Sequence, residues 1–192
     1  GATAVVRALA QLDSFDSAFN ARRAVRAALT KVNLQLLTRA LEERLENVGA
    51  SVVTLLARED SYACLWTGTC RGYVFRSGKL ARLSRDHTRA QELLDAGQIT
   101  HEQAAQQPGL QHATRAIGAS TRLDIEATNG ELQTGDRFLL CSDGLNVVAA
   151  PDIASALALA SSQQAASRLI EAALEAGAPD NVSVIVLDVM TD

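Results

Sequence analysis

Ser51-Val52-Val53-Thr54-Leu55-Leu56-Ala57 decides the fold, because the period of the apolar residues changes there. Up to this point they recur at helical spacing, and from it onward they fall in short β-branched runs. Arg58-Glu59-Asp60 reads as a turn, residues 61–67 as a second strand and 72–76 as a third. Ser77-Gly78 is a hairpin turn into the alternating run Lys79-Leu80-Ala81-Arg82-Leu83. The pattern is an antiparallel meander, not a βαβ unit.

Working outward toward the N-terminus, Val5, Val6, Leu9 and Leu12 lie near one face of a first helix, which Asp13-Ser14 interrupts. A second helix is predicted over 17–46, with Val25, Leu29, Val32, Leu36, Leu37, Leu41 and Leu45 as its apolar positions. Asn47-Val48-Gly49 supplies its stop signal. Toward the C-terminus, residues 84–120 are polar and read as a surface excursion carrying two short helices, 91–96 and 101–106. Strands resume at 122–127 and 137–141, helices follow at 152–160 and 165–176, and 182–189 is a closing strand. This order predicts an α+β fold with segregated layers, in one domain spanning 1–192.

Composition narrows the function classes. With 47% hydrophobic and 21% charged residues, the 192-residue chain has a globular balance. A net charge of −4 argues against general nucleic-acid binding, which needs a basic field. No apolar run reaches the ~20 residues of a membrane helix, and the N-terminus lacks a signal-peptide layout, so a cytoplasmic protein is expected. Cys64, Cys70 and Cys141 are odd in number and without CxxC spacing, which reads as reduced thiols.

Two acids stand at strand ends. Leu139-Leu140-Cys141-Ser142-Asp143-Gly144 ends an apolar strand, and Pro179-Asp180-Asn181 precedes the last one. Asp143 and Asp180 are 37 residues apart, so only folding can unite them. A carboxylate buried in a hydrophobic sheet needs a partner, and a hard divalent cation such as Mg²⁺ or Mn²⁺ is one. The other reading is two turn aspartates that hydrogen-bond their own backbone.

Those two motifs occur in register with Gly68-Thr69-Cys70-Arg71-Gly72-Tyr73, Leu83-Ser84-Arg85-Asp86-His87-Thr88 and Thr114-Arg115-Ala116-Ile117-Gly118. Together they resemble the metal-dependent Ser/Thr protein phosphatases of the protein phosphatase 2C-like superfamily, in its compact bacterial branch. The resemblance implies a two-sheet antiparallel β-sandwich flanked by helix pairs. It also implies a dinuclear Mn²⁺ or Mg²⁺ site with Asp143 and Asp180 as metal ligands, and assigns no catalytic or substrate-binding residue. Residues 84–120 would be the flap beside the substrate. Partners would be a phosphoserine or phosphothreonine protein and an opposing Ser/Thr kinase, with no nucleic acid and no membrane. Asn146, after Ser-Asp-Gly-Leu, is similar to the phosphatases encoded with type VI secretion systems.

Two departures qualify the resemblance. The family has an Arg and a Glu-Asp pair in its first strands, and an Asp-Gly-x-Gly-Gly motif before its first long helix. This chain opens at Gly1-Ala2-Thr3, at the start of that helix. An N-terminally truncated fold, an incomplete metal site and little turnover of p-nitrophenyl phosphate are therefore expected. Thr69 stands where the family has an aspartate of a third, weaker metal site, and a hydroxyl cannot supply that charge. Both departures also suit a non-catalytic pseudophosphatase that serves as a regulatory or binding module, and an unrelated α+β domain is a third reading. His87 is expected to be a structural loop residue, His101 and His112 surface residues, and Arg115 an ion-pair or carbonyl-binding arginine.

Overall fold

The meander after Ala50 forms as the period change predicts in the computed structural model, which describes residues 1–12, 15–45 and 48–190. Strands β1 (Val52–Arg58) and β2 (Ser61–Thr67) are joined by a turn at Glu59, whose φ is 52°. Strands β3 (Arg71–Arg76) and β4 (Lys79–Arg82) are joined by Ser77 and Gly78, both at positive φ (50° and 76°). Two positive-φ residues match the right-handed twist of a two-residue hairpin and set its register, Arg76 opposite Lys79. Strands β5 (Glu126–Glu131), β6 (Arg137–Cys141) and β7 (Val184–Asp188) complete two antiparallel sheets, ordered β1-β2-β5 and β4-β3-β6-β7.

The helices are α1 (Ala2–Ala10), α2 (Ala18–Glu43), α3 (Arg89–Asp95), α4 (His101–Ala105), α5 (Ala150–Leu157) and α6 (Ser162–Glu175). Short 3₁₀ turns at Pro108–Gln111 and Asp143–Val147 have no counterpart in the sequence reading. Helix α2 ends at Arg44, which takes the left-handed conformation (φ 51°), so the chain turns before the predicted stop. Asp13-Ser14 and Asn47 lie outside the described residues.

The contacts divide the chain into two compact units. The first comprises Gly1–Val52, Trp66–Thr69 and Arg85–Glu126. In it, α2 buries Val25, Leu29, Val32 and Leu36, one helical face at i, i+4, i+7 and i+11. Asn33 on the same helix is fully buried and satisfied at both ends of its amide. Its Nδ2 donates to Ser120 O at 2.8 Å and its Oδ1 accepts from Gly118 N–H at 2.6 Å. Backbone bonds between Ala50 and Ile117, both 2.9 Å, tie down the same stretch. The excursion 84–120 is therefore anchored rather than wholly on the surface. Ser84, Asp86, His87, Thr88, Ala90, Ala104 and Ile117 are all buried.

The second unit comprises Val53–Leu65, Cys70–Ser84 and Ala127–Asp192. Helices α5 and α6 cover one face of its four-stranded sheet, with Ile153, Leu157, Leu169 and Ala173 packed on Tyr73, Leu139 and Cys141. The sheets meet on the opposite face, where the Tyr62 and Phe138 rings stack edge-on at 4.9 Å. Cys64 is sealed there, and burial pushes its thiol up to about 12. Burial likewise pushes the Cys141 thiol up to about 12.

One strand is displaced from its predicted place. Residues 122–127 alternate, but β5 begins only at Glu126 and runs through Asn129-Gly130, a pair that reads as a turn. The reason is Tyr62. A Cβ at position 130 would lie 2.7 Å from the tyrosine ring, so the glycine lets the ring lie against the strand.

Arg76 and Asp136 form a two-pronged ion pair in this unit. Nε and Nη2 donate to the two carboxylate oxygens at 2.6 Å each, and Asp136 also accepts from Gln133 N–H at 2.9 Å. Burial pushes the Asp136 carboxyl up, but those bonds and the guanidinium charge outweigh it and hold it below the ordinary value. A depressed carboxylate adds stability that is present at neutral pH and is lost as pH falls below about 4. Arg76→Ala leaves that carboxylate buried without its cation and should cost about 3 kcal/mol in urea unfolding at pH 7. Asp136→Asn should flatten the acid limb of the stability–pH curve. A variant that unfolds in acid as the parent does would refute this assignment.

Candidate functional site

Asp143 and Asp180 are brought to one place by strand pairing. Strand β6 runs antiparallel to β7 with Cys141 opposite Val184, so the C-terminal end of β6 adjoins the N-terminal start of β7. The pairing continues one step further. Ser142 N–H donates to Ser183 O at 3.0 Å, Ser183 N–H donates to Ser142 Oγ at 2.9 Å, and Ser142 Oγ donates to Asn181 O at 3.1 Å. The two acid-bearing turns are thereby stitched together.

Gly144 completes the contact. A Cβ at this position would collide with the Asn181 carbonyl oxygen and lie 3.1 Å from that of Asp180. Only a residue without a side chain lets the Asp143–Val147 turn lie against the Asp180-Asn181 backbone.

Neither aspartate is buried, contrary to the expectation of carboxylates inside a hydrophobic sheet. The strands end before the acids, so each acid stands in a solvent-facing turn. Asp180 Oδ1 accepts from Asn181 N–H at 2.7 Å and from its Nδ2 at 3.2 Å, which is turn behaviour. Its Oδ2 has no protein partner among the described residues. Two carboxylates suit a hard divalent cation by donor type, with waters filling the shell. Among the described residues no group of three His, Cys, Asp or Glu side chains converges, so these acids fit part of a coordination shell.

A second cluster lies in the first unit, around His87. The residue is 5% exposed. Its backbone N–H donates to Gly68 O at 3.0 Å and its C=O accepts from Thr114 N–H at 2.7 Å. Nδ1 accepts from Gly68 N–H at 3.1 Å, which places the proton of the neutral ring on Nε2. Nε2 is 3.1 Å from Glu126 Oε1 but poorly aligned with it, so it lacks a well-formed hydrogen bond. The same Glu126 oxygen accepts from Arg115 Nη1 at 2.9 Å, which makes Arg115 the ion-pair residue that the sequence suggests. Burial, with the Arg115 charge, pushes the imidazole below its ordinary value against the pull of Glu126 and Asp86, so it is neutral at pH 7. His87 is thus the structural loop residue that the sequence suggests, and it is buried at a junction of three stretches of chain. His101 and His112 are exposed, as expected.

Thr69 is buried, and its hydroxyl lies 3.1 Å from Ser51 Oγ, which also accepts from Thr69 N–H at 3.0 Å. The hydroxyl therefore serves the turn.

No family model matches the chain. A curated relative, the serine/threonine protein phosphatase PstP of Mycobacterium tuberculosis, is 35% identical over 188 residues. The alignment covers 97% of this chain and 36% of the relative, so the chain spans about a third of that protein's length. Among solved structures, PppA of Pseudomonas aeruginosa, described as a key regulatory component of the type VI secretion system, superimposes with a TM-score of 0.88 at 31% identity. That match covers 96% of this chain and 76% of the other. The catalytic domain of PstP in complex with two manganese ions superimposes with a TM-score of 0.83 at 34% identity, covering 98% of this chain and 80% of the other. The paired acid turns, the two-sheet architecture and these matches agree, and the chain belongs to the bacterial PPM-type, or protein phosphatase 2C-like, Ser/Thr phosphatase family.

Proposed function

We propose that residues 1–192 act as one phosphatase domain that removes phosphate from phosphoserine or phosphothreonine of protein substrates with Mn²⁺ or Mg²⁺. The observation that carries this reading is the stitched pair of turns, which sets two carboxylates at neighbouring strand ends. Asp143 and Asp180 would hold the metal, and the side-chain-free Gly144 would keep their turns in contact. Bound divalent ions would polarise the phosphoryl oxygens and supply a hydroxide at neutral pH. The protein's share is positioning: Ser142 and Ser183 fix the backbone of both turns, so the carboxylates need little rearrangement on binding. A Ser/Thr kinase that phosphorylates the same substrates would be the opposing partner, in the cytoplasm. The match to PppA supports a link to type VI secretion.

No helix of the described chain is long and apolar enough to cross a membrane, which is compatible with this reading. Thr69 favours the pseudophosphatase alternative in one respect, because it brings no charge to the turn.

Isothermal titration with Mn²⁺ tests the assignment. A pair of roughly octahedral ions needs about a dozen oxygen donors, so two carboxylates predict weak affinity and low hydrolysis of p-nitrophenyl phosphate. Asp143→Asn and Asp180→Asn should each abolish the titration heat and reduce turnover to background. Mn²⁺ affinity untouched by either change would show that the ligands lie elsewhere. Turnover absent despite Mn²⁺ binding would favour the pseudophosphatase.

Gly144→Ala gives a second check. The added methyl must push the Asp180-Asn181 backbone away, so Mn²⁺ affinity should drop by about tenfold or more while far-UV circular dichroism stays unchanged. Unaltered affinity would mean that the turn contact does not organise the site.

A further inference from the structure

At His87 one residue joins three separate stretches of chain. Through its backbone and Nδ1 it meets the Gly68-Thr69 turn, through its carbonyl the 113–115 segment, and through Nε2 the first residue of β5. The Trp66 ring lies beside the imidazole with centroids 6.4 Å apart and donates its Nε1–H to Arg85 O at 2.8 Å, and His87 itself is buried. The geometry carries a polarity. Gly68 N–H is a donor, so the bond exists only while Nδ1 is an acceptor. A proton on Nδ1 sets two donors face to face.

We propose that His87 is a pH-sensitive positioning residue: with Nδ1 as acceptor it latches the 84–120 segment onto the Gly68-Thr69 turn, and loss of that acceptor loosens the segment's hold on the turn. The latch stands on the hydrogen bonds alone and does not depend on the phosphatase reading. Protonation of Nδ1 breaks the bond from Gly68 N–H, while the His87 N–H bond to Gly68 O remains. The charged groups that face the ring are Glu126 and Arg115 on one side and Asp86 within its own segment. Glu126 favours the imidazolium, but its oxygen is already shared with Arg115. The charge gained on the Glu126 side therefore does not replace the bond lost at Gly68.

The test uses the full chain with Asn, Gln and Leu at position 87. Asparagine places its amide oxygen near the site of Nδ1 and accepts at any pH, whereas glutamine reaches toward Nε2 and leaves Gly68 N–H unpaired. Hydrogen exchange at the Gly68 amide, read from pH 5 to 8, decides the latch. In the parent, protection beyond the intrinsic pH dependence should fall in acid. His87→Gln and His87→Leu should lose about tenfold in protection throughout, the worth of one hydrogen bond of ~1.4 kcal/mol. His87→Asn should restore protection and abolish its acid loss. Equal protection in all four proteins would overturn the latch, as would an Asn variant that keeps the parent's acid loss.

Discussion

The antiparallel pairing of β6 with β7 is the constraint on which the rest depends. It spans a sequence gap that no local propensity can close, and it is held by side chains that differ sharply in character along its length. At one end Arg137 reaches Asp188 and also donates to Leu157 O and Leu159 O at 2.8 and 2.6 Å, tying the strand pair to the end of α5. At the other end two serines extend the ladder past the last apolar residue. The strands thus finish with ordered backbone rather than fraying, and the acids that follow inherit that order.

Charge is arranged in two ways in this molecule. Arg76 with Asp136 is a closed account: both carboxylate oxygens are used, the aspartate is buried, and nothing remains for a ligand. Asp180 instead keeps one oxygen without a protein partner among the described residues, at an exposed turn. The first arrangement contributes stability and the second leaves capacity to bind, and the difference arises from how far each residue stands beyond its strand.

Much of the fold was legible in the sequence because it depends on local periods. The apolar run at 61–67 and the Ser77-Gly78 turn mark strands and a hairpin through residue types whose preferences are backbone effects. The acid turns were legible as motifs at strand ends, and their meeting was not, since nothing in the 37 intervening residues states which strands pair. Strand β5 was misplaced because the feature that keeps Asn129-Gly130 extended is the ring of Tyr62, far away in sequence. The structural role of His87 is legible in the sequence, and its partners are not, for a related reason. Its partners are a backbone amide at Gly68 and a carboxylate at Glu126, and neither leaves a local signal beside the histidine.

The seal around Cys64 and Cys141 has a consequence for redox behaviour. A thiol reacts with oxidants and alkylating agents as its thiolate, and groups pushed up to about 12 hold almost none of that form at physiological pH. Both residues are also buried, Cys64 between the sheets and Cys141 beneath α5 and α6, so both are chemically quiet under oxidative stress. Cys70 differs: it is only partly buried, in the turn that leads from Gly68 to Arg71. A thiol-directed reagent would therefore report from that turn first, while Cys64 would respond only once the sheets had separated and Cys141 only once α5 and α6 had lifted from their sheet.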